Sequence, residues 1–263
     1  MQTLTKIWQR LTDPVFYRKR TRQVIRYFKK GNLESRLKSV EALGQIERAV
    51  VVVAHPDDET FCSGLILELT SQGTVVDLVC LTRGEGGPTG AWSREELGQV
   101  RESEMKNACR ELGIHDLLFL DHIDPIAREH RVFAPDVSVA DLAAQLSPLV
   151  SGAELVVTHG SSGEYWHPAH LLVHEAVKIA IGDQRWMTFL AARDDHPIPK
   201  LVNLDDPAHL LIDVSGHTST REKALGCHES QVSLFCRFGD GTLSDFIWKT
   251  STETYCLRGP EIG

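Results

Sequence analysis

VVVAHPDDET, residues 51–60, joins an apolar run directly to one histidine and three acidic residues. A continuous run of valine and alanine is typical of a strand that is buried on both faces of a sheet. Charged side chains are unfavourable in a hydrophobic core, but at the end of a strand they can form part of a functional site. In parallel α/β sheets, sites gather outside the carboxyl ends of the strands. The stretch therefore predicts a buried strand that ends in a functional site.

Strand and helix patterns alternate on either side of this stretch. The predicted strands are RAVVVVA (48–54), TVVDLVCLT (74–82), DLLFL (116–120), AELVVTH (153–159), RWMTFLAA (185–192) and HLLIDV (209–214). The predicted helices are 58–71, 93–112, 137–149, PAHLLVHEAVKIAI (168–181) and, as the last one, STREKALGCHES (219–230). Ser93 with Glu96 predicts a capping box, and Gly113 a helix end. The alternation indicates a single Rossmann-like α/β domain with a mostly parallel sheet flanked by helices.

Composition limits the classes of protein to consider. The 263 residues are 42% apolar and 24% charged, with a formal net charge of -8, which argues against general binding to nucleic acid. Six cysteines without a CxxC pair indicate reduced thiols and a cytoplasmic protein. No apolar run approaches the roughly 20 residues of a membrane span.

The charge is concentrated at the start of the chain. Residues 1–30 hold nine Lys or Arg and one acid, a net +8, so the remainder carries -16. Apolar residues recur there at helical spacing: Leu4, Ile7, Trp8, Leu11 and Val15. We therefore divide the chain into a basic helical N-terminal extension, 1–45, and a domain, 46–263. Residues 1–30 either dock on the acidic body or a sister subunit, which would give a homo-oligomer, or make a peripheral contact with an anionic membrane. An organelle transit peptide ranks third, because serine is scarce.

A second polar cluster follows the fourth predicted strand, at His159, His167 and His170. If this strand lies beside the first one, both clusters meet at one edge of the sheet. His55 and Asp58 are three residues apart across a strand-to-helix turn, so both side chains can point to one spot. Two histidines and one carboxylate with open positions for water are typical of a catalytic zinc site. The alternative, that each histidine caps a helix or bonds within a loop, is less favoured because the polar groups cluster.

Five motifs together resemble one known family. AHPDDE (54–59), TRGEGG (82–87), LGQVRESE (97–104), GEYWHPAH (163–170) and KALGCHESQ (223–231) are similar to motifs of the PIG-L/LmbE-like deacetylases. The resemblance covers about residues 48–235. The order and distance of AHPDDE and HPAH make it specific.

The resemblance implies a metal site and a base. His55, Asp58 and His170 would bind Zn²⁺, with Fe²⁺ as the alternative in the cell. Asp57 would be the general base. This agrees with the chemistry of amide hydrolysis, since zinc makes water acidic near neutral pH and a carboxylate that is not a ligand can take its proton.

The resemblance also implies roles for three further residues. His167 would be the general acid or hold positive charge near the oxyanion, and Tyr165 would polarise the amide carbonyl. Arg101 matches a position that holds sugar hydroxyls in relatives. One departure is Ala169, where relatives often have Asp. This difference leaves the identity of the substrate more open than the type of reaction.

The sequence thus predicts a zinc-dependent hydrolase that removes the N-acetyl group from an N-acetylglucosamine-type sugar or glycoconjugate. One alternative is an amidase acting on a sugar–thiol conjugate. Another is a catalytically silent metal- or sugar-binding protein. The sequence assigns no role to His159 or His174, and leaves His228 between the mouth of the pocket and a helix cap.

Overall fold

Strand β1, Arg48–Val53, is the centre of the fold. We describe it from a computed structural model, which covers residues 39–259 except 89, 91, 128–130 and 194. Successive side chains of a strand point to opposite faces. Ala49, Val51 and Val53 accordingly join one hydrophobic cluster, whereas Val50 and Val52 join a second. All five are 0 or 1% exposed, so both faces of the strand are covered, as the apolar run predicts.

The main sheet has seven strands. Its members are β1, β2 (Val75–Thr82), β3 (Asp116–His122), β4 (Leu155–Thr158), β5 (Trp186–Phe189), β8 (Leu210–Asp213) and β9 (Thr252–Arg258), in the order β3-β2-β1-β4-β5-β9-β8. The first five are parallel to one another, and β9 runs antiparallel to both β5 and β8. A small second sheet pairs β6 (Ala191–Ala192) with β7 (Asn203–Pro207). The predicted fold class, a mostly parallel sheet flanked by helices, is confirmed.

The helices cover both faces of the sheet. Those of seven or more residues are α1 (Ser63–Ser71), α2 (Arg94–Leu112), α3 (Val139–Val150), α4 (Pro168–Ala180), α5 (Thr218–Gly226), α6 (Val232–Gly239) and α7 (Leu243–Lys249). The predicted capping box is present: the Ser93 hydroxyl accepts a hydrogen bond from the Glu96 N–H at 3.2 Å, and the Ser93 N–H donates to the Glu96 carboxylate at 2.7 Å. Gly113 ends α2 with a φ of 72°. These ends agree with the sequence because capping is a local interaction.

The C-terminal part differs from the sequence prediction. The helix predicted as the last one, α5, is followed by α6, α7 and the antiparallel strand β9. Glu253 interrupts the apolar pattern of β9, although it is only 5% exposed. Its carboxylate accepts the N–H groups of Gly64 and Leu65, at 2.8 and 2.9 Å, at the start of α1. The carboxylate stabilises the N-terminus of this helix. Because a charged residue needed for this distant contact lies within the strand, the apolar periodicity of the sequence did not predict β9.

The chain before β1 also contributes to the core. A 3₁₀ turn, Val40–Leu43, packs Val40 and Leu43 into the same cluster as Val51. Residues 1–38, on which the predicted basic helix and its contacts rest, lie outside the described residues. The division at residue 45 therefore stays a prediction. None of the helices in the described part of the chain combines the length and apolar character that crossing a membrane requires.

Candidate active site

The two polar clusters meet where the strand order changes direction. From β1 the chain moves outward to β2 and β3, and then returns to place β4 on the other side of β1. The β1–β4 pairing aligns Val52 with Thr158, so His55 and His159 leave the sheet at the same edge. Crevices at such switch points are where open α/β sheets bind ligands. The expected neighbourhood of the first and fourth strands is confirmed.

The turn after β1 sends two adjacent carboxylates in different directions. The Asp58 carboxylate accepts the N–H of His55 at 2.9 Å, which folds the turn back on itself. Asp57 has a φ of 102°, a left-handed conformation that is strained for a residue with a Cβ. Its carboxylate lies 3.1 Å from Nη2 of Arg101. The strained turn thus separates the two aspartates, and only Asp58 faces the histidines.

The Asp58 carboxylate lies between three imidazoles. Its oxygens are 3.3 Å from Nδ1 of His55, 3.3 Å from Nε2 of His170 and 3.5 Å from Nε2 of His159. All four residues are at most 7% exposed. The three residues predicted as metal ligands are therefore brought together.

Glu164 fixes the protonation of two of these imidazoles. Its Oε2 lies 2.8 Å from Nδ1 of His159 and 2.6 Å from Nδ1 of His170. Nε2 of His159 accepts the backbone N–H of Ala54 at 3.0 Å, so its proton is on Nδ1. Burial lowers the pKa of His170, which leaves a neutral ring that donates from Nδ1 to Glu164 and carries a lone pair on Nε2. That lone pair faces Asp58.

This arrangement fits a divalent cation. Two groups of side chains bring their ligand atoms within 4.8 Å of one another: His55, His167 and His170, and Asp58, His159 and His170. The bond from Ala54 occupies the lone pair that His159 would need as a ligand. Nε2 of His170, in contrast, is buried without a hydrogen-bond partner among the described residues. Its Nδ1–carboxylate bond is also the usual support of a metal-binding histidine.

Tyr165 and His167 border the same space. The His167 ring centroid lies 4.8 Å from that of His55 and 4.7 Å from that of His170. The Tyr165 ring centroid is 5.8 Å from His167 and 5.4 Å from His170. The structure thus places both predicted catalytic side chains beside the predicted ligands.

Arg101 lies behind Asp57. Its guanidinium donates to the Gly84 carbonyl at 2.9 Å and to the Pro56 carbonyl at 2.5 Å, in addition to Asp57, while Nε has no partner among the described residues. Burial is the largest effect on Asp57 and raises the pKa of its carboxyl to about 6, although Arg101 opposes the rise. Arg101 therefore supports the charged form of this carboxylate.

Comparison with known proteins identifies the fold family. Residues 50–181 match the family model described as PIG-L, GlcNAc-PI de-N-acetylase. A relative from Bacillus anthracis, named "Probable N-acetyl-alpha-D-glucosaminyl L-malate deacetylase 2", is 31% identical over 77% of this chain and 92% of its own length. The chain belongs to the PIG-L family. The predicted family and the predicted enzyme class, an amide hydrolase, are confirmed.

Two further proteins show how far the similarity extends. A 1D-myo-inositol 2-acetamido-2-deoxy-alpha-D-glucopyranoside deacetylase from Mycolicibacterium gilvum is 27% identical over 82% of this chain and 92% of its own length. The crystal structure of GalB, the 4-carboxy-2-hydroxymuconate hydratase from Pseudomonas putida KT2440, has a TM-score of 0.60 at 18% identity, covering 83% of this chain and 98% of its own. A hydratase with this fold means that the reaction must be argued from side chains.

A buried ion pair supports the strained turn of this PIG-L protein. Glu59, 1% exposed, accepts the Asp57 N–H at 3.0 Å and lies 2.5 Å from Nε2 of His228. Burial by itself lowers the pKa of His228, but pairing with Glu59 raises it overall. The sequence left open whether His228 lines the mouth of the pocket or caps a helix. The structure shows a third role, in which His228 holds Glu59 against the backbone of Asp57.

Electrostatics distinguishes His55 from His167. Burial by itself lowers the pKa of His55, but Asp124 and Asp58 raise it to about 10 in the metal-free site. Burial, followed by the charge of His55, lowers the pKa of His167 to about 2. His55 is therefore cationic without a metal, whereas His167 is neutral.

Sequence reasoning missed three residues that build the site. Glu164 was part of a quoted motif but received no role, although its φ of 54° turns its carboxylate toward the histidines. Asn203, from β7, donates to Glu164 at 2.9 Å and accepts the Glu164 N–H at 3.0 Å. Asp124, after β3, lies 3.5 Å from Nε2 of His55 and accepts the Gly86 N–H at 3.2 Å. Its place just after an apolar strand was the available signal.

Proposed function

We propose that this protein is a metal-dependent N-deacetylase that hydrolyses the acetamide of an N-acetylglucosamine-type sugar carried in a glycoside or glycoconjugate. The observation that carries the proposal is the different placement of the two adjacent aspartates in the turn after β1. Asp58 lies between His55 and His170, whereas the adjacent Asp57 is directed to Arg101. The names of the relatives from Bacillus anthracis and Mycolicibacterium gilvum support the sugar.

The ligands we propose are His55, Asp58 and His170, and the metal we propose is Zn²⁺, with Fe²⁺ as the alternative. Imidazole and carboxylate donors suit either ion. When bound, the ion supplies Lewis acidity, which polarises the amide carbonyl and lowers the pKa of water to about 7. His55 would have to give up the proton that makes it cationic in the metal-free site, because a ligand must offer a lone pair.

Asp57 is the general base of the proposed reaction. It accepts the proton of the attacking water while the new C–O bond forms. Its pKa of about 6 leaves it mostly ionised at neutral pH and still basic enough to take a proton. The Glu59 contact to its N–H holds the carboxylate in place.

His167 and Tyr165 act on the other side of the amide. Tyr165 donates a hydrogen bond to the carbonyl oxygen as negative charge develops there. His167 delivers a proton to the nitrogen as the C–N bond breaks, which releases acetate and the amine. Since its pKa is about 2 in the metal-free site, His167 is neutral beforehand and takes up a proton from solvent only while negative charge builds up beside it. It passes that proton to the nitrogen, and the proton that Asp57 accepted from the attacking water returns to solvent as acetate and the amine leave.

Arg101 contributes to substrate binding in the proposal, as well as to the charge of Asp57. Its guanidinium lies beside the Asp57 carboxylate, and a guanidinium fork can hold hydroxyls of a sugar that binds next to that carboxylate.

The adjacent aspartates provide a matched pair for the test. Asp57→Asn should retain zinc and lower kcat by about 10²–10⁴-fold, the usual cost of losing a general base. Asp58→Asn should lose zinc affinity first and regain part of its activity at high zinc. Two assays measure metal binding and turnover in both variants. One is zinc content after dialysis, and the other is the release of acetate and primary amine from a methyl glycoside of N-acetylglucosamine. Loss of metal in Asp57→Asn with full metal in Asp58→Asn would reverse the roles.

A further inference from the structure

A groove with apolar walls lies next to the site. Its volume is about 640 Å³. Its lining includes Arg94, Asp121, Ile123, Ile126, Phe133 and Asp136. We call it the β3 groove, because Asp121 belongs to β3 and most of the others follow that strand. Its volume falls in the range of pockets that hold drug-sized ligands.

The groove lies close to the metal ligands. β3 is separated from β1 by β2 alone, and neighbouring strands are about 4.8 Å apart, so the two strand ends lie about 10 Å apart. Asp124 connects the two places: its side chain lies 3.5 Å from His55, and the next residue, Pro125, lines the groove. A sugar whose N-acetyl group reaches the ligands can therefore extend its aglycone into the groove.

The walls of the groove are unusually apolar for an exposed surface. Ile123 is 67% exposed, Ile126 50% and Phe133 42%. Clustered exposed apolar side chains rimmed by polar ones mark binding sites, whereas single ones need no explanation. Covering these three side chains gives an apolar ligand a favourable free energy of transfer from water.

The charges of the groove argue against an anionic ligand. Arg94 is its cation, and it donates to the Asp124 carbonyl. Asp121 and Asp136 add two carboxylates, and Asp121 also pairs with Arg83 at 2.6 Å. Among the described residues, Arg94 and Arg83 balance Asp121 and Asp136, so the groove offers no net positive charge to an aglycone with its own carboxylate or phosphate.

We propose that the β3 groove binds the aglycone of the substrate and that this aglycone is neutral and apolar. The inference rests on the proposed function, because the metal ligands fix where the sugar lies. It separates this chain from relatives named for malate or inositol, whose aglycones are anionic or strongly polar.

Glycosides that differ only in the aglycone test the proposal on the full zinc-loaded chain. Methyl, butyl and hexyl glycosides of N-acetylglucosamine are compared with the malate glycoside. A fully buried methylene contributes about 0.8 kcal/mol, or about fourfold, so kcat/KM should rise about two- to fourfold for each added methylene. Equal kcat/KM for the methyl and hexyl glycosides, or a preference for the malate glycoside, would overturn the proposal.

Variants locate the effect. Phe133→Ala should lower the preference for the hexyl over the methyl glycoside about tenfold. Trp248→Ala is the control, since Trp248 is an apolar residue 73% exposed outside the groove lining, and it should change neither rate. An unchanged preference in Phe133→Ala refutes the groove. A change of oligomeric state in light scattering, with the preference unchanged, would make the groove an interface between copies and refute it as well.

Direct binding separates this proposal from the proposed function. Calorimetric titration of the hexyl glycoside measures saturable binding to the wild type and its weakening in Phe133→Ala. If no N-acetyl sugar is hydrolysed but this difference persists, the proposed function fails and the groove stands. If the sugars are hydrolysed but hexyl and methyl glycosides bind equally, only the groove proposal fails.

Discussion

Replacing Glu164 by glutamine should weaken both the fold and the metal site. The Glu164 carboxylate is fully buried and accepts four hydrogen bonds, from His159, His170, the Gly160 N–H and Asn203. An amide has only one accepting oxygen. Whichever way it is oriented, two of these donors face its NH₂ group. Asn203 cannot compensate by flipping, because its own oxygen accepts two backbone N–H groups.

The expected loss follows from the two hydrogen bonds that cannot be made. Hydrogen bonds to a charged group contribute about 1.5–3 kcal/mol each, so Glu164→Gln should lower the free energy of unfolding by about 3–6 kcal/mol. Burial by itself raises the pKa of Glu164, but His159 and His170 lower it overall. Its contribution is thus fully present above the unfolded pKa near 4.5 and lost as the pH falls below that value, so the measurement belongs at pH 7.5.

Urea unfolding of the metal-free proteins measures this loss. Glu175→Gln is the control on α4, since the Glu175 side chain is 51% exposed and its ion-pair distances to Lys178 and His174 are long, at 3.8 and 3.9 Å. This variant should cost less than about 0.5 kcal/mol. Zinc titration should show affinity reduced by about 10–100-fold for Glu164→Gln, because Glu164 orients His170. If Glu164→Gln unfolds within 1 kcal/mol of the wild type, the four-bond arrangement is wrong.

Three other predictions concern the charges near Asp57 and His55. Arg101→Ala should raise KM more than it lowers kcat at pH 8. It should also shift the lower limb of the kcat–pH profile to higher pH, because Arg101 opposes the rise in the pKa of Asp57. A loss in kcat alone at pH 8 would remove Arg101 from substrate binding. Glu59→Gln should keep zinc but lower kcat about tenfold or more by releasing the strained turn, and unchanged kcat would show that Asp57 does not need this contact. The pKa of His55 is raised from 6.5 to about 10 by Asp124 and Asp58 against the effect of burial, so its stabilising contribution is full below pH 6.5 and lost as the pH rises through 10. In urea unfolding of metal-free protein, the stability difference between wild type and His55→Asn should therefore shrink from pH 6 to pH 10, and a constant difference would contradict the ion pairs.

The sequence alone determined the features that depend on neighbouring residues. The valine run of β1 requires cover on both faces, and the acids after it require the edge of a sheet. Ser93 and Glu96 form the capping box they predict, because its atoms belong to one turn of chain. The spacing of His55 and Asp58 across one turn is equally local, and the structure brings these two side chains together.

The tertiary structure decided which distant groups meet. No local pattern says that β4 pairs with β1, that Asp124 comes to His55, or that Glu253 belongs to a strand. Nor does the sequence say that the lone pair of His159 accepts the N–H of Ala54 while that of His170 meets no donor among the described residues. Strand order and loop closure are set by burying both faces of the sheet at once, a free energy that is summed over the whole chain. Local propensity determines which segments form helices and strands. Only the burial free energy of the whole chain determines which of these elements lie side by side, and the site is formed by residues from such adjacent elements.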